Sequence, residues 1–229
     1  MTDLTNKVAI VTGSATLIGV KVVEALHSAG AKVVAADIEA EVGRKAMEAL
    51  GDGAIFVAGD VTRDEVLDAV VKLALENFGG IDIVVNIAAT YLDNGVASSR
   101  DEWLMSLNTN VVSGAILVQK AAPYMKERGG GAVVNFGSIS AKRAQPGRML
   151  YAVSKAAILG MTRNLALGYA DDNIRVNSVS PGWTWSNPIA MLSGNDRSKA
   201  DRIGGEMHLP GRIGDPEEVK GNKSFFGAI

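Results

Sequence analysis

The chain of 229 residues contains no cysteine and only two histidines, His27 and His208. The absence of cysteine excludes disulfides, thiol nucleophiles and thiolate metal ligands. A Ser-His-Asp triad would need one of the two histidines, and a histidine metal centre usually needs two or three clustered ring nitrogens. His27 lies near the end of a predicted helix, which indicates a surface role. His208 lies in a loop-rich stretch, where packing is favoured over substrate contact. The sequence therefore predicts no metal site.

Charge of one sign and long apolar runs are also missing. The formal net charge is −2, and no basic patch carries interleaved aromatic residues, so we expect neither nucleic acid nor an anionic membrane surface as a partner. No run reaches the roughly 18 apolar residues that a membrane-spanning helix needs. The N-terminus, MTDLTNKVAIVTG, lacks the apolar core of a signal peptide. These absences predict a cytoplasmic protein.

Short apolar runs alternate with helical patterns along the chain. The predicted strands are 7–12, 32–37, 54–60, 81–86, 132–138 and 173–181, and the predicted helices are 18–29, 40–50, 63–78, 101–128 and 151–170. Continuous apolar strands separated by helices are typical of a parallel sheet covered on both faces. The fold class predicted is α/β, a single-domain Rossmann-like doubly wound sheet over residues 1–229. From Trp183 onward, prolines predict an irregular segment.

The stretch VTGSATLIGV (11–20) joins the first predicted strand to the first helix. Gly13 permits a tight turn, and Gly19 permits close packing of the helix on the strand. The start of the helix offers free amides and the positive end of a dipole to a pyrophosphate. Because this loop directly follows the first strand of a βαβ unit, it predicts a dinucleotide site.

Acidic residues close the second and third predicted strands. Asp37 can accept hydrogen bonds from both hydroxyls of an adenosine ribose and would repel a 2′-phosphate. Ile38 follows, so no basic residue stands there to receive that phosphate. The pattern favours NAD over NADP as cofactor. Asp60 is predicted to accept from the adenine amino group.

The spacing of one serine, one tyrosine and one lysine indicates a shared site. Tyr151 and Lys155 are four residues apart in a predicted helix and so share one face, and Ser138 ends the fifth predicted strand. A protonated amine near a phenol is expected to lower the phenol's pKa. The phenol could then exchange a proton with an alcohol while hydride leaves the same carbon. The Ser138 hydroxyl can hold the substrate oxygen.

Together these motifs resemble the short-chain dehydrogenase/reductase family in its common single-domain form. The matching segments lie within about residues 5–219. In order they are TGSATLIG (12–19), GDV (59–61), NIAA (86–89), LNTNV (107–111), GSIS (137–140), YAVSK (151–155) and RVNSVSPG (175–182).

The resemblance implies roles for individual residues. The implied catalytic residues are Asn110, which holds a water in a helix interruption, Ser138, Tyr151 as general acid/base and Lys155. The implied cofactor-binding residues are Gly13, Ala15, Leu17, Ile18, Gly19, Asp37, Asp60, Val61, Asn86, Ala88, Tyr151, Lys155, Pro181, Gly182 and Thr184. The expected substrate-binding residues, from their positions near these elements, are Ser138, Gln145, Met149, Tyr151, Trp183 and Trp185.

Three features depart from the family pattern. Leu17 replaces the middle glycine of the phosphate loop, which we expect to strain the turn or push the phosphates outward. Ile87 and Ala89 replace the second asparagine and the glycine of the family motif that NIAA (86–89) matches. Residues 220–229 form an atypical tail that does not continue as the family does, so we expect the last strand to be missing and an exposed edge beside strand six.

The substrate side is less defined by the sequence. Residues 183–208, here called the lid segment, are expected to cover the cleft with Trp183, Trp185, Met191 and Leu192 as an apolar lining. This set, with Tyr91, indicates a partly apolar or aromatic secondary alcohol or ketone. The helices 101–128 and 151–170 carry apolar faces that the family uses in assembly, which implies a homodimer or homotetramer.

Two functions follow as hypotheses. The first is an NAD(H)-dependent oxidoreductase that interconverts a secondary alcohol and a ketone. The alternative is a catalytically impaired dehydrogenase scaffold that acts as a nucleotide-binding or structural protein. Retention of the serine, tyrosine and lysine together favours the enzyme, and titration with NAD separates the two.

Overall fold

The sheet is the frame on which the candidate site is built. A computed structural model of the chain describes residues 3–221 and 228–229. Six parallel strands pair in the order β3-β2-β1-β4-β5-β6. They are β1 Val8–Thr12, β2 Lys32–Asp37, β3 Ala54–Ala58, β4 Ile83–Asn86, β5 Gly131–Phe136 and β6 Ile174–Val179. The strand order reverses between β1 and β4, which is where such sheets bind ligands. The predicted fold class is confirmed.

Helices cover both faces of the sheet. They are α1 Leu17–Ser28, α2 Ala40–Glu48, α3 Asp64–Phe78, α4 Arg100–Leu107, α5 Ser113–Glu127, α6 Met149–Gly168, α7 Asn187–Ser193, α8 Arg197–Gly205 and α9 Pro216–Gly221. The predicted irregular segment after Trp183 is wrong, because α7, α8 and α9 lie within it. Pro188 and Pro216 sit in the first turns of α7 and α9, where a missing backbone N–H costs nothing.

The long helix predicted at 101–128 is two helices joined by one wide turn. Residues Asn108–Val112 form a π-helical turn between α4 and α5. Single π turns inserted in α-helices often mark functional positions, because they displace one residue from the regular spiral. Asn110, the middle residue of this turn, is 5% exposed.

Two apolar cores lie on opposite faces of the sheet. Val11, Val33 and Val85 pack toward α1, whereas Ile10, Val34 and Val84 pack toward α3 and α5. Successive strand residues therefore point to different cores, and both sets are buried. This explains why the strands read as continuous apolar runs rather than alternating ones.

The C-terminal expectation is met only in part. Residues 3–221 and 228–229 contain six strands and no seventh. The tail predicted at 220–229 falls largely on residues 222–227, outside the described ranges. The Ala228 carbonyl accepts hydrogen bonds from Arg175 and Asn177 of β6, and Ala228 is buried against the α1-side core. In the described ranges, no helix combines the length and apolarity needed to cross a membrane.

Candidate active site

A cleft of about 750 Å³ runs along the carboxyl ends of the strands. Each strand contributes the residue at its end or just beyond it, and the lid segment closes one side through Trp183 and Ile189. Parallel sheets of this kind bind ligands at that edge. The cleft therefore lies where the sequence places the cofactor and substrate.

Most predicted site residues meet in this cleft. Those that line it are Gly13, Ile18, Asp37, Asp60, Val61, Ala88, Ser138, Gln145, Tyr151, Lys155, Pro181, Gly182, Trp183 and Thr184. Predicted site residues outside its lining are Ala15, Leu17, Gly19, Asn86, Asn110, Met149 and Trp185.

The phosphate loop is built on two glycines that admit no side chain. Gly13 has φ +72°, and a Cβ there would lie 2.5 Å from the Ala88 nitrogen. A Cβ on Gly19 would lie 2.0 Å from the Gly13 carbonyl oxygen. The Thr16 side chain caps α1 by accepting from the Gly19 N–H at 3.0 Å. The loop thus holds the start of α1 at the cleft, as a phosphate site requires.

Leu17 does not strain this loop. It is the first residue of α1, and the non-glycine residues with positive φ are Asn6, Asn173 and Asn195 instead. Its side chain is 38% exposed. The backbone strain expected from replacing a glycine here is therefore absent. The Leu17 N–H donates to Asn187 Oδ1 of the lid segment at 3.0 Å.

Asp37 is held rigidly at the end of β2. Its two carboxylate oxygens accept the Ala15 N–H at 2.8 Å and the Glu39 N–H at 3.0 Å. The residue is 7% exposed and still lines the cleft. Each carboxylate oxygen has a second lone pair, so Asp37 can also accept from ribose hydroxyls. Ala15 contributes to the site through Asp37 rather than through the cleft wall.

Tyr151 and Lys155 lie on the same face of α6, as predicted. The Lys155 Nζ lies 5.5 Å from the centre of the Tyr151 ring and donates to the Phe136 carbonyl at 2.7 Å. Lys155 is 3% exposed, and burial lowers its pKa to about 8. The charged form of Lys155 is therefore only weakly favoured, and one backbone carbonyl, that of Phe136, stabilises it.

The pKa of Tyr151 moves against the expectation from sequence. Burial raises it above its usual value, and the neighbouring Tyr91 raises it further, whereas a hydrogen bond with Ser138 and the charge of Arg148 act to lower it. The Tyr91 ring stacks on the Tyr151 ring at 4.9 Å between centres. The groups that act to lower the pKa, Ser138 and Arg148, do not offset burial. In this state the phenol stays protonated.

Ser138 begins a short chain of side-chain hydrogen bonds. Its Oγ donates to Ser140 Oγ at 3.1 Å, and Ser140 Oγ donates to Gln145 Oε1 at 3.0 Å. The Gln145 carbonyl oxygen is thereby occupied, and its amino group is the end that stays available. Ser138 and Gln145 both line the cleft beside Tyr151.

Asp93 holds the start of the catalytic helix. Its Oδ1 accepts from the Gly95 and Met149 N–H groups at 2.9 and 3.1 Å, and its Oδ2 accepts from the Tyr151 N–H at 2.9 Å. The N-cap residue of α6, Arg148, makes no side-chain capping bond. A carboxylate from the loop after β4 therefore caps α6 in its place.

Asn110 packs beneath the site rather than in the cleft. Its side chain bonds both backbone groups of Thr90 and donates to Ser154 Oγ at 2.9 Å. A cavity of about 10 Å³ lies beside it, lined also by Lys155 and Asn86. That is close to the size that holds one water, and Asn86 Oδ1 has no hydrogen-bond partner among the described residues. The arrangement suits the water site that the resemblance implies.

Asn86 also ties two strands together. Its Nδ2 donates to Asn135 Oδ1 of β5 at 2.9 Å, and Asn135 Nδ2 donates to Thr162 Oγ1 of α6 at 3.0 Å. Beside it, Ile87 is 8% exposed and packs in the α1-side core. The departure from the family motif at residue 87 thus exchanges a polar side chain for core packing.

The lid segment is fixed by backbone and histidine contacts. The Trp183 N–H donates to His208 Nε2 at 2.9 Å, and His208 Nδ1 lies 2.7 Å from the Gly204 carbonyl, which makes Nδ1 the protonated nitrogen. His208 therefore packs within the lid, the role favoured from sequence. Trp185 lies near Arg197, with the guanidinium carbon 5.7 Å from the ring centre, and does not face the cleft.

Several residues that shape the site escape sequence reasoning. Asp93 contacts Met149, which is 56 residues away in the chain, and Asn187 contacts Leu17, which is 170 residues away. The Arg148 guanidinium lies near the ring of Tyr151. Asp93 reads as part of an Asp-Asn-Gly turn, and Asn187 as the start of a helix before proline. No local signal distinguishes these roles from ordinary turn or capping chemistry.

Comparison with known proteins gives a consistent result. The sequence matches a family model described as enoyl-(acyl carrier protein) reductase over residues 13–226. An uncharacterized oxidoreductase of Thermotoga maritima is 39% identical over 221 residues, covering 93% of this chain and 87% of that protein. A 3-oxoacyl-(acyl-carrier-protein) reductase of Vibrio cholerae is 31% identical over 228 residues, covering 99% and 91%. The structure is similar to that of L-sorbose reductase from Gluconobacter frateurii complexed with NADPH and L-sorbose. Its TM-score is 0.90 and its identity 30%, and the match covers 98% of this chain and 89% of that one.

Proposed function

This chain belongs to the short-chain dehydrogenase/reductase family, and on that premise we propose that it is an NAD(H)-dependent oxidoreductase that interconverts a secondary alcohol and a ketone. One observation carries the proposal. Ser138, Tyr151 and Lys155 line the same cleft as Gly13 and Asp37, so a proton-exchanging phenol and a nucleotide site share one space. A protein that only bound nucleotide would have no use for all three side chains there.

The residues present fit a nicotinamide dinucleotide. The Gly13 turn leaves a cradle that a Cβ would fill. The N-terminus of α1 supplies backbone amides, one of which, the Leu17 N–H, already donates to the side-chain oxygen of Asn187. Asp37 would hold the adenosine ribose, Asp60 and Val61 the adenine, and Thr184 the nicotinamide end. When bound, the nicotinamide would supply or accept the hydride.

Asp37 supports NAD rather than NADP as the preferred cofactor. Its carboxylate is buried and anchored by two backbone N–H groups, so it cannot turn away from a 2′-phosphate. Ile38, the next residue, is 66% exposed and carries no charge. The L-sorbose reductase of similar structure is complexed with NADPH. The preference proposed here rests on Asp37 and not on that relative.

The proton step falls to Tyr151. In oxidation its phenolate takes the proton of the substrate alcohol, and in reduction its hydroxyl gives a proton to the ketone oxygen. The Ser138 hydroxyl, which can rotate away from Ser140, orients the same oxygen. Lys155, buried with a pKa of about 8, would hold the nicotinamide ribose and favour the phenolate once a second cation is bound nearby.

Initial rates test the proposal. Purified protein is assayed at the nicotinamide absorbance with a panel of secondary alcohols in NAD and in NADP. Turnover in NAD, with NADP less effective, supports the proposal. If no alcohol is oxidised yet NAD binds in calorimetry, the scaffold alternative replaces it.

Two broader expectations stay predictions. We propose a homodimer, because α4, the π turn and α6 expose large apolar side chains, namely Leu104, Met105, Val112, Met149, Val153 and Leu167. The cytoplasmic location also rests on the sequence alone.

A further inference from the structure

We propose that the substrate carries an acidic group, a carboxylate or a phosphate, and that Arg148 and Gln145 bind it at the mouth of the cleft. This deepens the proposed function and rests on it for the identity of the reacting end. It assigns the chemistry of the other end of the substrate.

Charged residues are segregated along the cleft. The acids that line it, Asp37, Glu39 and Asp60, all lie at the ends of β2 and β3, where the adenosine is expected. At the end beside Ser138 and Tyr151, the charged lining residues within the described chain are both cations, Lys155 and Arg148. Opposite charges at opposite ends favour a ligand that is anionic near the reacting carbon.

Arg148 is the cation free to take such a group. Among the described residues its guanidinium makes no hydrogen bond and no ion pair, whereas the Lys155 ammonium is bound to the Phe136 carbonyl. The guanidinium carbon lies 6.0 Å from the centre of the Tyr151 ring. An acid group a short chain's length from the reacting carbon would therefore reach it. Its five N–H donors match a carboxylate or a phosphate in bidentate fashion.

Arg148 stands at a helix N-terminus, where the helix dipole does not favour a positive charge. It is the N-cap of α6 and adds positive charge to the positive end of a helix dipole. The nearby carboxylate of Asp93 does not neutralise it by contact, because the oxygens of Asp93 accept from the Gly95, Met149 and Tyr151 backbone N–H groups. An incoming anion would complete the local charge balance.

Gln145 points the same way. Ser140 Oγ donates to Gln145 Oε1 at 3.0 Å, so the amino group of Gln145, a residue that lines the cleft, is the part left to bind a ligand. The Arg148 guanidinium adds further hydrogen-bond donors to this wall, and the Ser138 and Tyr151 hydroxyls lie beside them. Such a wall binds groups that are rich in hydrogen-bond acceptors and makes no favourable polar contact with a neutral alkyl group.

The test compares acids with matched neutral compounds. Both enantiomers of α- and β-hydroxybutanoate are assayed against their methyl esters, and glycerol phosphate against glycerol, with NAD. The variant is Arg148→Gln, and the matched control is Arg143→Gln, an exposed arginine of the same loop that does not line the cleft. We expect wild type to prefer one acid class over its neutral partner in kcat/KM. Arg148→Gln should lower the ratio of kcat/KM for that acid to kcat/KM for its neutral partner by about ten-fold or more, through a higher KM for the acid, which is the usual range for a lost bond to a charged group. Because the Arg148 charge also acts on the Tyr151 pKa, a change in kcat should be shared by both compounds. Arg143→Gln should change neither the ratio nor kcat.

Calorimetry on NAD-saturated protein separates this inference from the proposed function. If no compound is turned over but an acid binds to wild type and not to Arg148→Gln, the acid site stands and the oxidoreductase proposal fails. Preference for the carboxylates over the phosphate, or the reverse, identifies the source of the anion. Equal use of acid and neutral partners, an equal loss on both in Arg148→Gln, or no binding of any acid overturns the inference.

Discussion

At the scale of single residues, burial strongly perturbs the charge of Lys155. Its pKa falls from 10.5 to about 8 because burial disfavours the ammonium. The folded protein therefore releases this proton near pH 8, while the unfolded chain keeps it until about pH 10.5. Since the unfolded state binds more protons in that window, stability rises with pH there.

A prediction follows for Lys155→Met. Between pH 8 and pH 10 the free energy of unfolding of wild type should rise relative to the variant, by on the order of 2 kcal/mol. The window stops near pH 10 because the unfolded chain loses the same proton near the ordinary lysine pKa of 10.5. Urea unfolding across this range measures the effect. The exposed Lys142→Met provides the control, and identical pH dependence in wild type and Lys155→Met would refute the assignment.

Asp37 gives a second prediction at this scale. Asp37→Ser removes the charge that would repel a 2′-phosphate while keeping a short acceptor for backbone N–H groups. We expect the ratio of kcat/KM for NAD to that for NADP to fall by about ten-fold or more, as a lost bond to a charged group implies. Initial rates with both cofactors measure it. The exposed Glu41→Ser, on α2, should leave the ratio as it is; a ratio equally unchanged in Asp37→Ser would remove the basis of the NAD preference.

Single residues also show what sequence reasoning can and cannot give. Local spacing was enough to predict that one cleft would bring together Gly13, Asp37, Ser138, Tyr151 and Lys155. The direction of the shift in the Tyr151 pKa was not predicted, because it depends on burial and on Tyr91, which stacks on the Tyr151 ring from another loop. Leu17 was expected to strain its turn, but the helix begins at that residue, where a side chain is tolerated.

At the scale of elements, α6 depends on a cap from outside itself. Asp93→Ala removes the acceptor of the Met149 and Tyr151 N–H groups. We expect a loss of about 1–2 kcal/mol in stability, the usual cost of a lost cap, and a fall in kcat of about ten-fold as Tyr151 shifts. The KM for NAD should hold, because the phosphate loop is untouched.

The conservative variant distinguishes positioning from general destabilisation. Asp93→Asn keeps one acceptor oxygen and should recover part of kcat, and the exposed Asp101→Asn serves as control. Equal falls in kcat and in NAD affinity for Asp93→Ala, with no recovery in Asp93→Asn, would contradict a positioning role.

The contact between α7 and α1 makes another prediction. Asn187 Oδ1 takes the Leu17 N–H, an amide that a pyrophosphate is expected to need. Asn187→Ala removes this competitor, so the Kd for NAD should fall by about two- to ten-fold, the range for one hydrogen bond. Calorimetry measures it, with Asn77→Ala on the exposed face of α3 as control. Weaker NAD binding in Asn187→Ala would mean that this side chain supports the cofactor rather than competing with it.

Element boundaries were predictable where periodicity dominates. The strands and α1 to α3 lie within a few residues of their predicted ranges because continuous apolar runs and helical spacing are local properties. The sequence continues a helical pattern through the π turn at Asn108–Val112, so only the resemblance implied an interruption, at Asn110. Hydrogen bonds of Asn110 with Thr90 and Ser154 hold the turn in place. The helices after Trp183 were missed because the prolines read as breakers, although Pro188 and Pro216 sit in the first turns of α7 and α9.

At the scale of the whole molecule, assembly is the open prediction. Exposed apolar side chains gather on α4, the π turn and α6, a distribution that marks an interaction surface. Light scattering should give at least twice the chain mass of 23.9 kDa. Leu104→Arg, at a 60% exposed position of α4, should lower that mass to one chain, whereas Val42→Arg on α2 should not. A monomer in wild type would contradict the prediction.

The central claim is that a phenol on α6 exchanges the substrate proton beside a bound nicotinamide. Its most direct test is the rate of hydride transfer in Tyr151→Phe, measured at the nicotinamide absorbance with the best alcohol of the panel and saturating NAD. We expect the rate of hydride transfer to fall by about two to four orders of magnitude, the range for general acid/base catalysis, and the affinity for NAD to be retained. Turnover at the wild-type rate in Tyr151→Phe would contradict it.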